Sequence, residues 1–127
     1  MFGTAKDIIE KLENYPEDEP LLMLKITESY KTAVISTAHV TAADSERLPI
    51  ACFDPLTDRG LNWVHGTQYG WIVRAGVRGN DWKEELREYG ISEETISNIQ
   101  TIVDAGFDAV HFDCDAELVD GLPAWDW

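Results

Sequence analysis

Three histidines, two cysteines and one Asp-x-Asp pair are the residues of this 127-residue chain whose types could carry chemistry. Asp113 and Asp115 flank Cys114. In an extended segment alternate side chains share a side, so these carboxylates could offer oxygen ligands to a metal or a phosphoryl group. At a tight turn they accept backbone hydrogen bonds instead. His39, within Ser36-Thr37-Ala38-His39-Val40-Thr41, could serve as a general base or tie down its own loop, and its spacing assigns it no nucleophile. His39, Asp113 and Asp115, with His111, would form a metal-dependent hydrolase or ligand site only by converging in three dimensions. The carboxylates beside Cys114 disfavour its thiolate, which makes a Cys–His nucleophile with His111 a poor fit. Cys52, between Ala51 and Phe53, reads as apolar packing. The chain contains no glycine-rich phosphate loop, no paired-cysteine metal motif and no histidine pair at metalloprotease spacing. The expectation is a protein without catalytic residues, metal or cofactor.

Charge carries a sharper signal. The 24 carboxylates and 10 Lys and Arg give a net of −14, unevenly spread. Residues 1–87 hold 14 acids and all 10 basic side chains, whereas residues 88–127 hold 10 acids and no Lys or Arg. Such a surface repels phosphate backbones, because nucleic-acid binders use cations to displace counterions. Direct nucleic-acid binding is therefore discounted. The same field can attract a basic groove that normally holds nucleic acid and speed the encounter; simple solubility is the plainer account of it. The apolar series Leu118, Val119, Leu122, Trp125 and Trp127 inside this acidic segment is more than a solubility tail needs, and docking of the tryptophans on their own domain is favoured over docking on a partner.

These residues must be positioned by a small set of elements. Thr4 and Asp7 have capping-box spacing before Ile8, Ile9, Leu12 and Tyr15, and Pro16 ends that helix. Residues 16–20, acidic and flanked by prolines, read as a linker. A strand is predicted over 22–26 and another within 30–36, and a short helix follows Thr41 and Asp44 until Pro49 stops it. A short strand over 50–53 leads to turns at Asp54-Pro55 and Asp58-Arg59-Gly60. Residues 63–65 and 69–73 form a hairpin around 66–68, with Gly66 at positive φ. Asn80 caps a helix over 81–89 that places Trp82, Leu86 and Tyr89 on one side. Ile91 and Ile96 have the spacing of a hydrophobic staple around Ser92. Ile96, Ile99, Ile102 and Val103 supply an apolar stripe that ends at Gly106, and a strand follows over 107–112. The class is α+β: a single compact domain over 1–127, with an open mixed or mainly antiparallel sheet and helices packed on one face. With two thiols, no signal-peptide pattern and no apolar run of membrane-spanning length, a cytoplasmic location is expected.

Three blocks carry a resemblance: Ile35-Ser36-Thr37-Ala38-His39-Val40-Thr41, Tyr69-Gly70-Trp71-Ile72-Val73, and Phe112-Asp113-Cys114-Asp115 followed by Leu122-Pro123-Ala124-Trp125-Asp126-Trp127. Over about residues 33–127 the chain resembles a small uncharacterised domain family found on plasmids, phages and other mobile elements. The resemblance implies no activity and no catalytic assignment. Cys114 stands where the family often has a basic residue, which weakens any charge-relay or metal arrangement there. By analogy of class, acidic mobile-element proteins of this size are often inhibitors of host defence, antirestriction and anti-CRISPR proteins among them.

The function expected is accordingly a non-enzymatic protein-binding inhibitor that engages a basic surface of a nucleic-acid-processing complex. Its candidate contacts are Glu88, Glu93, Glu94, Asp104, Asp108, Glu117, Asp120, Asp126, Trp125 and Trp127. The competing expectations are the small hydrolase or ligand-binding protein built on His39, Asp113 and Asp115, and an accessory or structural domain of a mobile element.

Overall fold

The computed structural model describes residues 24–52 and 60–127. The first helix, the 16–20 linker and the turns at Asp54-Pro55 and Asp58-Arg59 lie outside the described residues. The elements run β1 (Thr32–Ser36), a 3-10 turn (Thr37–His39), α1 (Ala42–Ala51), β2 (Val64–Thr67), β3 (Gly70–Val73), α2 (Ala75–Arg78), α3 (Trp82–Glu88), α4 (Glu93–Asp104) and β4 (Ala109–Asp113). The four strands lie in the order β1-β4-β3-β2, with β1 and β4 parallel and the other two pairings antiparallel. This is the open mixed sheet of an α+β domain. Among the described residues no helix is long and apolar enough to cross a membrane.

Strand alternation sorts the sheet into two faces. Register places Ile35 opposite Phe112, Phe112 opposite Trp71, and Val110 opposite Val73, which in turn faces Val64. These side chains meet Leu48 of α1, Trp82 and Leu86 of α3, and Ile96, Ile99 and Ile102 of α4 in one apolar core. Each large side chain sealed there, such as Phe112, Leu86 or Ile99, contributes roughly 1.5–3 kcal/mol. The other face carries a row formed by Val34, His111, Ile72 and His65, one residue from each strand, with Val34 56% exposed.

Helix α4 forms as its residues dictate. Ser92 caps it by accepting the Thr95 N–H at 3.4 Å, and Ile91 and Ile96 are both buried across the cap. Gly106 follows at φ 103°, the left-handed conformation that ends helices most easily with glycine.

Several local expectations are corrected. Leu24 and Ile26 lie in irregular chain, 58% and 73% exposed, so the strand predicted over 22–26 is absent from its described part. Pro49 does not stop α1, which continues to Ala51; sealing Leu48 and Ala51 in the core outweighs the hydrogen bond that proline cannot donate. Residues 50 and 51 are therefore helical, and Cys52 makes only an isolated bridge to Leu61. The hairpin exists, but its two-residue turn is Gln68-Tyr69, and Gly66 pairs with Trp71 inside β2 without positive φ. The glycine required here is Gly70: β3 approaches β4 so closely that a Cβ at this position would sit 1.8 Å from the Phe112 carbonyl oxygen. Asp81, rather than Asn80, occupies the cap position of α3, with no side-chain cap bond.

Candidate functional site

Among the described residues the buried polar side chains are Ser36, His39, Asp44, Thr95 and Asn98. His39 is fully buried. Its Nε2 lies 2.9 Å from the Val119 amide nitrogen, and because the amide can only donate, that ring nitrogen must be the acceptor. Nδ1 therefore carries the proton and donates to the Pro123 carbonyl at 2.8 Å. Asn98 Nδ2 donates to the same Pro123 carbonyl at 3.0 Å and to the His39 carbonyl at 2.9 Å. Further bonds extend the attachment: Trp125 N–H to the Ala38 carbonyl at 2.7 Å, Trp127 Nε1–H to the Val40 carbonyl at 2.8 Å, and Ser36 N–H to the Glu117 carbonyl at 3.2 Å. Residues 117–127 thus form a strap laid across the 3-10 turn and α4. Docking of the tryptophans in cis is borne out in these bonds, although Trp127 keeps 55% of its surface exposed.

Beneath the start of α4 a second polar node joins two helices. Asp44, 1% exposed, donates its backbone N–H to the capping Thr41 Oγ1 at 3.1 Å, as its spacing from Thr41 predicts. Its carboxylate turns away from that cap. Oδ1 accepts the Ser92 N–H at 2.9 Å, and Oδ2 accepts the hydroxyls of Ser92 and Thr95, both at 2.5 Å. The Ser92 and Thr95 N–H groups at the α4 N-terminus are thereby satisfied from within, and the negative group lies where the helix dipole favours it.

Glu93 and Glu94, in the first turn of α4, consequently project from a helix end that is already capped. They line a groove of about 370 Å³ with Ser97, Asn98, Pro123 and Trp125. Arg87 donates to Glu93 at 2.6 and 3.0 Å and holds its carboxyl below the usual carboxylate range. Glu94 makes no ion pair among the described residues. Three of the candidate contacts, Glu93, Glu94 and Trp125, are therefore brought together by α4 and the strap.

The remaining candidates are dispersed. Asp104 closes the far end of α4, about 15 Å from Glu94 at 1.5 Å per residue, and accepts from Gln100 at 2.7 Å. Asp108 accepts the Lys31 N–H at 2.9 Å. Glu88 borders a separate depression of about 410 Å³ with Trp63, Arg78, Glu85 and Tyr89. There Arg78 donates to Glu85 and holds its carboxyl below the ordinary range, against the opposing effect of burial and with help from the Trp63 indole N–H at 3.0 Å. Glu117, Asp120 and Asp126 are exposed along the strap.

Asp113, Cys114 and Asp115 follow β4, with ligand-type atoms all within 4.8 Å of one another. His39 is not part of that group, and both of its ring nitrogens are spent on strap backbone. Asp113 Oδ1 accepts the Asp115 N–H at 2.8 Å, the turn use anticipated for this pair. Loss of water around the Cys114 thiol, then the Asp115 and Asp113 charges, push its pKa up, away from the thiolate that ligates or attacks. Burial likewise raises that of Cys52. His111 Nε2 is buried without a hydrogen-bond partner, and Asp113 Oδ2, 3.8 Å away, lies beyond hydrogen-bond reach.

Sequence reasoning had no role for Asn98, which proves to be the link between α4 and the strap. One signal was present: Thr95 and Asn98 fall on the same side of α4 as Ile99 and Ile102, and a polar residue within an apolar stripe needs a buried partner.

No curated protein and no solved structure matches the chain. A family model does match, over residues 32–127, a stretch that begins with β1 and takes in every strand, helix and strap contact described above. The chain therefore belongs to the family of unknown function DUF5983, whose C-terminal domain it contains.

Proposed function

We propose that this protein is a non-enzymatic inhibitor of mobile-element origin, directed against host defence, whose acidic surface engages a basic face of a nucleic-acid-processing complex. The observation that carries this is the unbalanced charge of residues 88–127, which hold 10 acids and neither Lys nor Arg. The fold disperses most of the candidate acids and gathers Glu93 and Glu94 at one groove. Among the described residues Glu93 is the one candidate acid bridged to an arginine, so the others keep their charge available. Charges of this kind speed association and select partners by sign more than they add affinity.

Affinity capture from the native host at low and high salt tests the proposal, with the captured protein identified and its nucleic-acid binding assayed. A salt-sensitive nucleic-acid-binding partner is expected, because exposed charges are screened beyond about 8 Å at physiological ionic strength. Amide replacement of several acids within residues 88–127 should weaken that association more than a matched set within 1–58. Affinity that is indifferent to salt, or equal effects from the two sets, would count against an acid-driven mechanism. The hydrolase alternative retains Asp113 and Asp115 on one turn but loses His39 to the strap.

A further inference from the structure

We propose that the groove between the first turn of α4 and the Pro123–Trp125 part of the strap is the receptor for one arginine side chain of a basic protein partner. This rests on the inhibitor proposal and names the chemistry at its point of contact.

Four observations favour arginine. First, the rim is acidic: Glu94 lines the groove with no cation among the described residues, beside Glu93, which Arg87 already bridges. Second, the helix is capped without these acids: the Ser92 N–H donates to Asp44 and the Thr95 N–H to Ser92, so neither glutamate side chain is spent as a cap. Third, Pro123 and Trp125 provide an apolar and aromatic wall suited to a planar guanidinium, which stacks on an indole and pairs with carboxylates through several N–H groups. Fourth, the groove is formed in advance. The strap wall is pinned by Trp125 N–H on Ala38 and by His39 and Asn98 on Pro123, so little ordering remains for the partner to impose.

The test uses the whole chain and three capped tripeptides, Gly-Arg-Gly, Gly-Lys-Gly and Gly-citrulline-Gly, titrated while backbone and indole N–H resonances are followed by NMR. The arginine peptide should shift Ser97, Asn98 and the Trp125 indole first, and citrulline, the uncharged analogue, should leave them in place. Glu94→Gln should weaken the arginine peptide about two- to fivefold, the range for one exposed charge pair, and Trp125→Leu by a similar factor, while Asp104→Asn at the other end of α4 changes nothing. Shifts spread evenly over the acidic surface, equal shifts with citrulline, or wild-type binding by Glu94→Gln and Trp125→Leu would each overturn the assignment. Stronger binding of the lysine peptide would overturn the choice of guanidinium. The two proposals fail separately. If the intact chain captures a basic nucleic-acid-processing protein and both variants capture it equally well, the groove assignment falls and the inhibitor stands. If arginine fills the groove but the captured partner has no nucleic-acid activity, the reverse holds.

Discussion

Replacing His39 with phenylalanine tests whether the strap is latched by the imidazole. The substitution keeps a planar ring in a fully buried site and removes both polar nitrogens, so its effect is that of hydrogen bonds rather than of a cavity. Two bonds are lost, at a net of about 0.5–1.5 kcal/mol each. The Pro123 carbonyl keeps its Asn98 partner, and the Val119 amide belongs to an exposed residue that water can reach once the strap lifts. A loss near the middle of the range, about 2 kcal/mol, corresponds to roughly a thirtyfold larger population of the undocked strap. Amide hydrogen exchange reads this directly. The Val119 and Trp125 amides should exchange roughly thirtyfold faster in His39→Phe, while amides in the middle of α4 report only the smaller change in global stability. Unchanged exchange at Val119 and Trp125 would refute the latch, and equal acceleration throughout the chain would make His39 an ordinary core residue. Asn98→Ala provides the second arm. Because His39 and Asn98 share the Pro123 carbonyl, the double variant should depart from additivity by about 0.5 kcal/mol or more.

Three further outcomes follow from other contacts. Gly70→Ala drives a Cβ to within 1.8 Å of a backbone oxygen, so β3 and β4 must separate; a loss of at least about 3 kcal/mol, or failure to fold, is expected in urea denaturation, and a wild-type midpoint would contradict so close an approach of the two strands. Glu85 has its folded pKa lowered chiefly by the Arg78 hydrogen bond, so its contribution is complete above the ordinary glutamate value and disappears as pH falls through the lowered folded value. Glu85→Gln should therefore flatten part of the acid limb of stability against pH, and parallel curves for the two proteins would exclude the effect. Cys114, though exposed, should alkylate with iodoacetamide more slowly at neutral pH than a thiol in an unfolded peptide, and Asp115→Asn should recover only part of the difference because loss of water is the larger cause. A rate equal to the peptide thiol would contradict the raised pKa.

Much of this architecture was legible because it is local. Ser92 as a cap, Ile91 and Ile96 around it, the Ile96-Ile99-Ile102 stripe and the Gly106 stop all lie within one stretch of α4, where 3.6-residue periodicity and capping chemistry act without reference to the rest of the chain. Strand alternation alone puts Trp71 and Val73 on one side, but strands and helices elsewhere decide which side is buried. The Pro49 stop and the Gly66 turn failed for a common reason. Each was a sound local preference, and each yielded to burial or register imposed from outside: Leu48 and Ala51 in the core for one, Val64 against Val73 for the other.

Composition alone determined that residues 88–127 are strongly acidic without a counter-cation, since charge counts do not depend on folding. It also favoured the tryptophans docking on their own domain, because exposing large apolar rings in water is unfavourable. Only tertiary structure decided what His39 and Asn98 are for, as their partners lie 84 and 25 residues away at Pro123. Only tertiary structure, likewise, gathered Glu93, Glu94 and Trp125 into one groove while leaving Asp104 at the opposite end of the same helix. Long-range contacts of this kind are selected by the packing of the whole chain, and no window of neighbouring residues contains them.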